Sequence, residues 1–316
     1  MNRAVPTARD PCGPAAHETI ARMASFQSSP PKPRPAAHPD GHFYSPVVDP
    51  DQLALERERV WPAEPRVLGI DFNDESHLHV LERAFPRYIG DYDYPERAPV
   101  SEKEESDDHR YYTQNSQFSW LDSRTLFVLL REWRPARVIE VGSGYSSLLM
   151  ADVNRRFLDE RCELTCVEPY PRPFLVRGVP GIGRLIQAKV QDVPLETFEA
   201  LEAGDVLFID SSHVAKTGSD VNHLYFEVLP RLAPGVRVHI HDIFLPHDYL
   251  QDWAITENRS WNEQYLLRAL LMHSTGFRVV FGCSYAFYRW PEKVQAALAH
   301  PKGHAFAGGS FWIERA

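Results

Sequence analysis

The chain has 316 residues, 43% of them hydrophobic, and a formal net charge of −9. This length can bury one full α/β core with additions, whereas the acidic balance argues against a nucleic-acid binder, which needs a basic surface. No apolar stretch approaches the roughly 20 residues of a membrane span. The N-terminus lacks the apolar region of a signal peptide, and the four scattered cysteines make no disulfide framework. We therefore expect a cytoplasmic protein with reduced thiols.

The first 118 residues are predicted to be additions to a following domain. Residues 1–40 are rich in proline and lack hydrophobic periodicity, which predicts a disordered tail. Residues 41–118 are interpreted as an N-terminal extension that packs on the domain, with a helical pattern at Glu75–Phe85. The acidic run Glu102–Asp108 is interpreted as a solvated loop.

From residue 119 to residue 316 predicted helices and strands alternate. Helices are predicted at 120–133, with Ser119 or Asp122 as N-cap, and at 146–157, 222–232 and 262–274. Strands are predicted at 137–141, 163–167, 184–188, 205–209, 236–240, 278–281 and 310–314. This alternation predicts a doubly wound, mostly parallel α/β sheet. The last two strands suit a hairpin with an inserted helix near 291–299, which makes one strand antiparallel.

The most informative motif is a glycine turn between a strand and a helix. The strand carries Glu140 and breaks into Gly142-Ser143-Gly144, and the helix follows directly. Such a turn lets backbone N–H groups approach a ligand closely. In the dinucleotide-binding version a third small residue follows, and the acid stands only at the end of the second strand. Here the third position is Ser147, and Glu140 already lies two residues before the first glycine.

Polar residues also follow the other predicted strands. Ligands of open α/β sheets bind at the carboxyl ends of the strands, so these residues should meet at one edge. Glu168 ends the second strand, where a carboxylate can accept both hydroxyl protons of a ribose. Gln191-Asp192 after the third strand suits the edge of an adenine. Asp210 follows the fourth strand and His241-Asp242 the fifth.

With the E-x-G-x-G pattern at Glu140, these strand ends make residues 119–281 resemble the class I S-adenosylmethionine (SAM)-dependent methyltransferases. The segments Ile209–Asp220 and 234–242 resemble the small-molecule branch of the catechol and macrocin O-methyltransferases. The resemblance implies a seven-stranded Rossmann-like sheet, SAM as cofactor, and a small-molecule acceptor that is methylated at a hydroxyl oxygen. Ser211 and Ala215 stand where that branch has glycine and tyrosine, which leaves the acceptor open. The predicted cofactor-binding residues are Glu140, Gly142, Ser143, Gly144, Ser146, Glu168, Gln191, Asp192 and Asp210.

Asp210, His213 and His241 are the candidate catalytic residues, and two mechanisms fit them. In the first, a divalent ion among Asp210, His241 and Asp242 lowers the pKa of the acceptor hydroxyl, as the resemblance implies. His241 is a softer ligand than the usual acid and suits transition metals, and Ile243 stands where the catechol type has a ligating asparagine. In the second, no metal binds and His213 or His241 acts as the general base.

Two other functions stay open at this point. A nicotinamide-dependent reductase is disfavoured by Ser147 and by the lack of an evident Tyr-x-x-x-Lys pair, and a protein that binds SAM or a nucleoside without catalysis is the other. His239 is interpreted as a satisfied histidine at a helix–sheet interface. Trp261–Tyr265 opens a helix and serves either a pocket or packing, while Tyr111–Asn115 resembles the segment that closes over SAM or else clamps the extension to the domain. No nucleic-acid or membrane partner is expected, and a homo-oligomer is compatible with the chain.

Overall fold

The computed structural model describes residues 35–101, 109–298 and 308–316. Nearly all of the predicted proline-rich tail, the acidic run Glu102–Asp108 and the end of the predicted helix at 291–299 lie outside the described residues. Among the residues within those three ranges, no helix is both long and apolar enough to cross a lipid bilayer.

Seven strands form one mixed sheet in the order β3-β2-β1-β4-β5-β7-β6. The strands are β1 (Arg137–Val141), β2 (Glu163–Val167), β3 (Arg184–Ile186), β4 (Val206–Ile209), β5 (Arg237–Ile240), β6 (Phe277–Gly282) and β7 (Phe311–Arg315). β7 runs antiparallel to both of its neighbours, and the other pairs are parallel. The predicted doubly wound sheet with one antiparallel strand is confirmed, with strand ends that differ from the prediction by at most two residues.

Helices flank the sheet and precede it in the extension. They are α1 (Pro50–Leu55), α2 (Arg57–Val60), α3 (Asp74–His79), α4 (Trp120–Trp133), α5 (Tyr145–Phe157), α6 (Pro173–Arg177), α7 (Glu196–Glu199), α8 (Asp220–His223), α9 (Glu263–Leu271), α10 (Cys283–Arg289) and α11 (Pro291–Leu298). Turns of π-helix continue α3 and α8, and a further one spans Asp252–Thr256. A short α-helix at Phe85–Tyr88 follows the π turn after α3. The predicted helix at 262–274 ends early, at Leu271. α6, α7 and α10 escaped prediction because helices of four to seven residues are too short to show a 3.6-residue period.

The sheet is buried on both faces. Val138 belongs to the apolar cluster on the face that packs α4 and α5, whereas its neighbour Ile139 belongs to the cluster on the opposite face. Strands that are covered on both faces read as continuous apolar runs, which is why the strands were predictable from sequence.

The first helix of the domain is tied to its last strand by a buried carboxylate. Ser119 is the N-cap of α4, one of the two residues predicted for that position, although its side chain makes no capping hydrogen bond. Asp122 instead accepts hydrogen bonds from the N–H groups of Gly309 (3.0 Å) and Ser310 (2.7 Å), directly before β7. The carboxylate therefore fixes the start of β7 against the start of α4.

The extension is anchored to the domain through the buried side chain of His77 in α3. Its Nε2 accepts a hydrogen bond from the N–H of Gly282 (2.8 Å), and its Nδ1 lies 3.1 Å from the carbonyl oxygen of Asn73, to which it can donate. The ring packs against Phe281 and Tyr285 at 5.0 Å between ring centres. One nitrogen accepts and the other donates, as a neutral imidazole requires. Burial lowers the pKa of His77 to about 4.

This anchor predicts a loss of stability on mild acidification. Because the pKa of folded His77 is about 4 and lies below its ordinary value of 6.5, the unfolded chain binds more protons between these two values. The stability that neutral His77 contributes is therefore complete above pH 6.5 and is lost as the pH falls towards 4. It should reach roughly 3 kcal/mol of unfolding free energy.

A urea-unfolding series across this pH range measures the effect in the parent and in His77→Leu. The variant should be less stable at neutral pH, because the N–H of Gly282 loses its acceptor. The difference in unfolding free energy between the parent and the variant should shrink towards about pH 4.5, because protonation of His77 removes the same hydrogen bond from the parent. A difference that stays constant with pH would contradict the prediction.

Candidate active site

One cavity of about 1140 Å³ opens at the carboxyl ends of β1, β2, β4 and β5. Its walls come from the loops after these strands, from the segment before α4 and from the segment before α9. The predicted site residues that line it are Gly142, Ser143, Gly144, Ser146, Glu168, Asp210, His213, His241 and Asp242. Glu140, Gln191 and Asp192 are not among its lining residues.

The two glycines of the turn after β1 have different reasons to be glycine. Gly142 has φ +83°, and a Cβ there would lie 1.8 Å from the carbonyl oxygen of Asp210. Gly144 has an extended φ of −168°, and the nearest atom to a Cβ there would be Nε of Arg172 at 3.7 Å. Packing therefore requires Gly142, whereas Gly144 leaves open space on the cavity side, where a ligand can approach the backbone.

Glu140 is fully buried and holds the start of α5 in place. Its carboxylate accepts hydrogen bonds from the hydroxyls of Ser146 (2.6 Å) and Ser147, and Ser147 Oγ accepts from the N–H of Gly144 (2.9 Å). Burial raises the pKa of Glu140 to about 7. The contacts support an indirect role for Glu140 in shaping the turn, and a direct contact to a cofactor stays a prediction.

Glu168 joins the loop after β2 to the glycine turn. Its carboxylate accepts hydrogen bonds from the N–H groups of Ser143 (3.1 Å) and Tyr170 (2.8 Å). Ser143 and Ser211 also line the cavity. The side chain of Ser143 interacts with the carboxylate of Glu140, whereas the buried hydroxyl of Ser211 has no hydrogen-bond partner among the described residues. Buried polar atoms are normally paired, so the hydroxyl of Ser211 suits a polar ligand.

Gln191 and Asp192 lie in the turn Val190–Asp192 that follows β3. Gln191 Nε2 donates to the carbonyl oxygen of Gly218 (3.0 Å), in the loop after β4. The pair is thus at the same edge of the sheet as the cavity but outside its lining, and its contact with an adenine stays a prediction.

At the other end of the cavity His213 lies between three carboxylates. Its Nε2 is 3.4 Å from Asp210 Oδ1 and 3.4 Å from Asp242 Oδ2, and its Nδ1 is 3.0 Å from Oε2 of Glu263. His241 Nε2 lies 3.6 Å from Asp242 Oδ1. Ligand atoms of Asp210, His241 and Asp242 lie within 4.8 Å of one another, so the structure brings the three predicted metal ligands together.

The buried charges of this cluster shift one another's pKa values. For Asp210, burial favours the neutral form, but His241 and His213 outweigh it and hold its pKa below the usual range. For His213, burial favours the neutral form, but Asp210, Glu263 and Asp242 outweigh it and raise its pKa well above the usual range. Burial raises the pKa of Asp242 and of Glu263.

Three non-glycine residues at the cavity have a left-handed backbone. Trp120 has φ +49°, His213 has φ +60° and Asp242 has φ +56°. Side chains other than glycine rarely adopt this region, and residues held there concentrate at functional sites.

Sequence reasoning missed Glu263, whose carboxylate is buried beneath His213. Glu263 lies at the start of α9, inside the Trp261–Tyr265 segment. That segment was expected to serve either a pocket or packing, and its residues serve both. Trp261 lines the cavity and its ring centre lies 4.5 Å from that of His213. Gln264 instead packs the loop after β5, donating to the carbonyl of His247 (3.0 Å). The dense polar and aromatic composition was the available signal.

The aromatic end of the cavity was predicted only through Trp261, as one of two roles considered for the Trp261–Tyr265 segment. It is lined by Trp253, Trp261, Glu257 and Arg259. The guanidinium of Arg259 lies over both indole rings, at 4.3 and 4.8 Å from their centres, and pairs with Glu257. Trp253 stands on an irregular π turn, which has no sequence period to reveal it.

His239 is fully buried in the core beside the site. Its ring stacks on Phe208 at 3.7 Å, and its Nε2 lies 3.0 Å from the hydroxyl of Ser310. His239 does not line the cavity, in agreement with a packing role, but the prediction that its ring is fully hydrogen-bonded is wrong, because its buried Nδ1 has no hydrogen-bond partner among the described residues.

The strand order, the single antiparallel strand and the glycine turn after β1 define the class I methyltransferase fold. Residues 139–243 match the sequence profile of a family described as a methyltransferase domain. The chain belongs to this family and is a SAM-dependent methyltransferase. A protein of Archaeoglobus fulgidus, itself described as uncharacterized, is 38% identical over 168 residues, which are 52% of this chain and 73% of the relative.

Two similar solved structures contain a cofactor or its product. The O-methyltransferase TomG from Streptomyces achromogenes, in complex with SAM, is 15% identical and covers 61% of this chain and 78% of that chain, with a TM-score of 0.35. An O-methyltransferase from Bacillus cereus in complex with S-adenosylhomocysteine is 14% identical and covers 60% and 78%, with a TM-score of 0.36. Family membership here follows from the matched profile and the archaeal relative.

Proposed function

We propose that the protein transfers the methyl group of SAM to a hydroxyl oxygen of a small molecule. The observation that carries this proposal is that one cavity joins the glycine turn and Glu168 to the cluster around Asp210 and His213. Methyl transfer is an in-line displacement, so the donor and the acceptor must meet in one enclosed space.

The cofactor would lie along the glycine turn. The carboxylate of Glu168 can accept the ribose hydroxyl protons, and the buried hydroxyl of Ser211 offers an unpaired polar group in the same cavity. The open space at Gly144 admits the methionine part. This placement leaves the sulfonium towards Asp210 and the aromatic end.

The acceptor would lie between the indole rings of Trp253 and Trp261. These rings supply apolar walls, and the pair of Arg259 and Glu257 supplies polar groups at the same end. The walls also keep water from the reacting atoms, which strengthens electrostatic interactions in the cluster.

Asp210, His241 and Asp242 fit a divalent metal ion in donor type and spacing. Such an ion would lower the pKa of the acceptor hydroxyl when bound. The carboxylates of Asp210 and Asp242 also keep the site negative, which favours a cationic sulfonium nearby. The metal-free alternative makes His213 the general base, whose Nε2 faces the two aspartates.

Calorimetric titration with SAM tests the proposal in the parent protein and in the variant Glu168→Gln. The parent should bind SAM and not NADH. Glu168→Gln should weaken SAM binding by about 10- to 100-fold, because a charged acceptor for the ribose hydroxyls becomes a neutral amide. Glu202→Gln is the matched control, since Glu202 is an exposed residue away from the cavity. Binding of nicotinamide cofactor alone would reject the methyltransferase assignment for this site.

Methyl transfer itself is tested by mixing the protein and SAM with a metabolite extract. A product heavier by one methyl group, formed together with S-adenosylhomocysteine, is the expected result. SAM binding without any product in a broad set of extracts would favour a non-catalytic SAM-binding protein.

A further inference from the structure

SAM has an anionic end, and the wall of the cavity offers it few cations. The methionine part of the cofactor carries a carboxylate beside its ammonium group. Among the described residues that line the cavity, two have a fixed positive charge, Arg172 and Arg259. A carboxylate brought next to the acidic lining residues would be repelled, so it needs one of these arginines beside it. Those acidic residues are Asp122, Glu168, Asp210, Asp242 and Glu257.

The two arginines have different surroundings. Arg259 lies over the two indole rings of the aromatic end and pairs with Glu257. Arg172 belongs to the loop after β2, beyond Glu168, and its Nε is the atom nearest to the position of a Cβ at Gly144, at 3.7 Å. Arg172 is therefore the arginine beside the glycine turn, where the methionine part of the cofactor is proposed to lie.

The guanidinium of Arg172 is positioned by two other elements. It lies over the ring of Tyr145, the first residue of α5, at 4.8 Å from the ring centre. Its Nη2 donates a hydrogen bond to Gln117 Oε1 (2.7 Å), in the segment before α4. The positive end of the dipole of α5 lies at the same place and also favours a negative charge. Three parts of the chain thus meet at a planar group whose N–H donors match the geometry of a carboxylate.

We propose that Arg172 binds the methionine carboxylate of SAM and makes the protein selective for cofactors that carry this group. This inference rests on the proposed function, since it concerns the cofactor of the same site. A hydrogen bond between a guanidinium and a carboxylate is about twice as strong as one between neutral groups. Arg172 is half-buried at the wall of the cavity, where salt and water screen such a pair less than on an open surface.

The test compares SAM with decarboxylated SAM, which keeps the adenosine, the sulfonium and the ammonium group but lacks the carboxylate. Calorimetric titration of the full-length protein measures both affinities. In Arg172→Gln the affinity for SAM should fall by about 10- to 100-fold, whereas the affinity for decarboxylated SAM should not fall. Arg172→Lys should keep part of the preference for SAM, because lysine keeps the charge but not the planar donors. Arg87→Gln, at a surface arginine that is 61% exposed, is the control and should bind both ligands like the parent.

Decarboxylated SAM also shows that the variants are folded, and it separates this inference from the proposed function. An equal loss of affinity for both ligands in the two Arg172 variants would give Arg172 a structural role only. Unchanged SAM affinity in Arg172→Gln would show that the carboxylate binds elsewhere. Either result would overturn the inference and leave the methyltransferase in place, whereas a parent that binds neither ligand would defeat the proposed function.

Discussion

Replacing Gly142 by alanine should destabilise the domain strongly, whereas the same change at Gly144 should not. A Cβ at position 142 meets the carbonyl oxygen of Asp210 at 1.8 Å, and the backbone there has φ +83°. Overpacking and the left-handed backbone together should cost about 3–5 kcal/mol of unfolding free energy. At position 144 the backbone is extended, and the nearest atom is 3.7 Å away.

Urea unfolding and SAM titration of the pair separate packing from binding. Gly144→Ala should keep its unfolding free energy within about 1 kcal/mol of the parent and should weaken SAM binding by about tenfold or more, because the new methyl group fills space meant for the ligand. Equal stability of the two variants would show that the turn adjusts without the clash. Unchanged SAM affinity in Gly144→Ala would place the cofactor elsewhere.

Asp210→Asn should abolish methyl transfer while the protein still folds. The change keeps the size of the side chain but removes a carboxylate held in its charged form by His241 and His213. Loss of one such group from the reacting centre should lower turnover by about 10²- to 10⁴-fold. Formation of S-adenosylhomocysteine from SAM in the presence of a metabolite extract measures the rate.

Asp159→Asn is the matched control, because Asp159 is an exposed carboxylate beyond the end of α5. It should turn over like the parent. Turnover by Asp210→Asn within a few-fold of the parent would remove Asp210 from the catalytic machinery, whatever the fate of SAM binding.

The sheet could be predicted from the sequence because each buried parallel strand is a short apolar run that is followed by a polar residue. Glu140, Glu168 and Asp210 each stand at or near the end of an apolar run, so their common edge could be predicted. The prediction could not tell that Glu140 faces the serines of α5 rather than the cavity, because the side-chain direction at the turn depends on Ser146 and Ser147.

Site residues that come together from segments far apart in the sequence could not be predicted in this way. Glu263 lies 50 residues from His213, and Arg259 and Trp253 lie on irregular backbone without periodicity. Short helices such as α10 were missed for the same reason. Contacts of this kind follow from tertiary packing, which a single sequence does not encode locally.

The bond from Asp122 to the backbone before β7 also bears on how the enzyme is made. Asp122 bonds to Gly309 and Ser310, which follow it in the sequence by 187 and 188 positions. β7 must also insert between β5 and β6 before the sheet is continuous. Contacts of such high sequence separation form late, because a long loop must close first. A growing chain can therefore assemble the glycine turn early and still lack a finished active site until β7 has been synthesised.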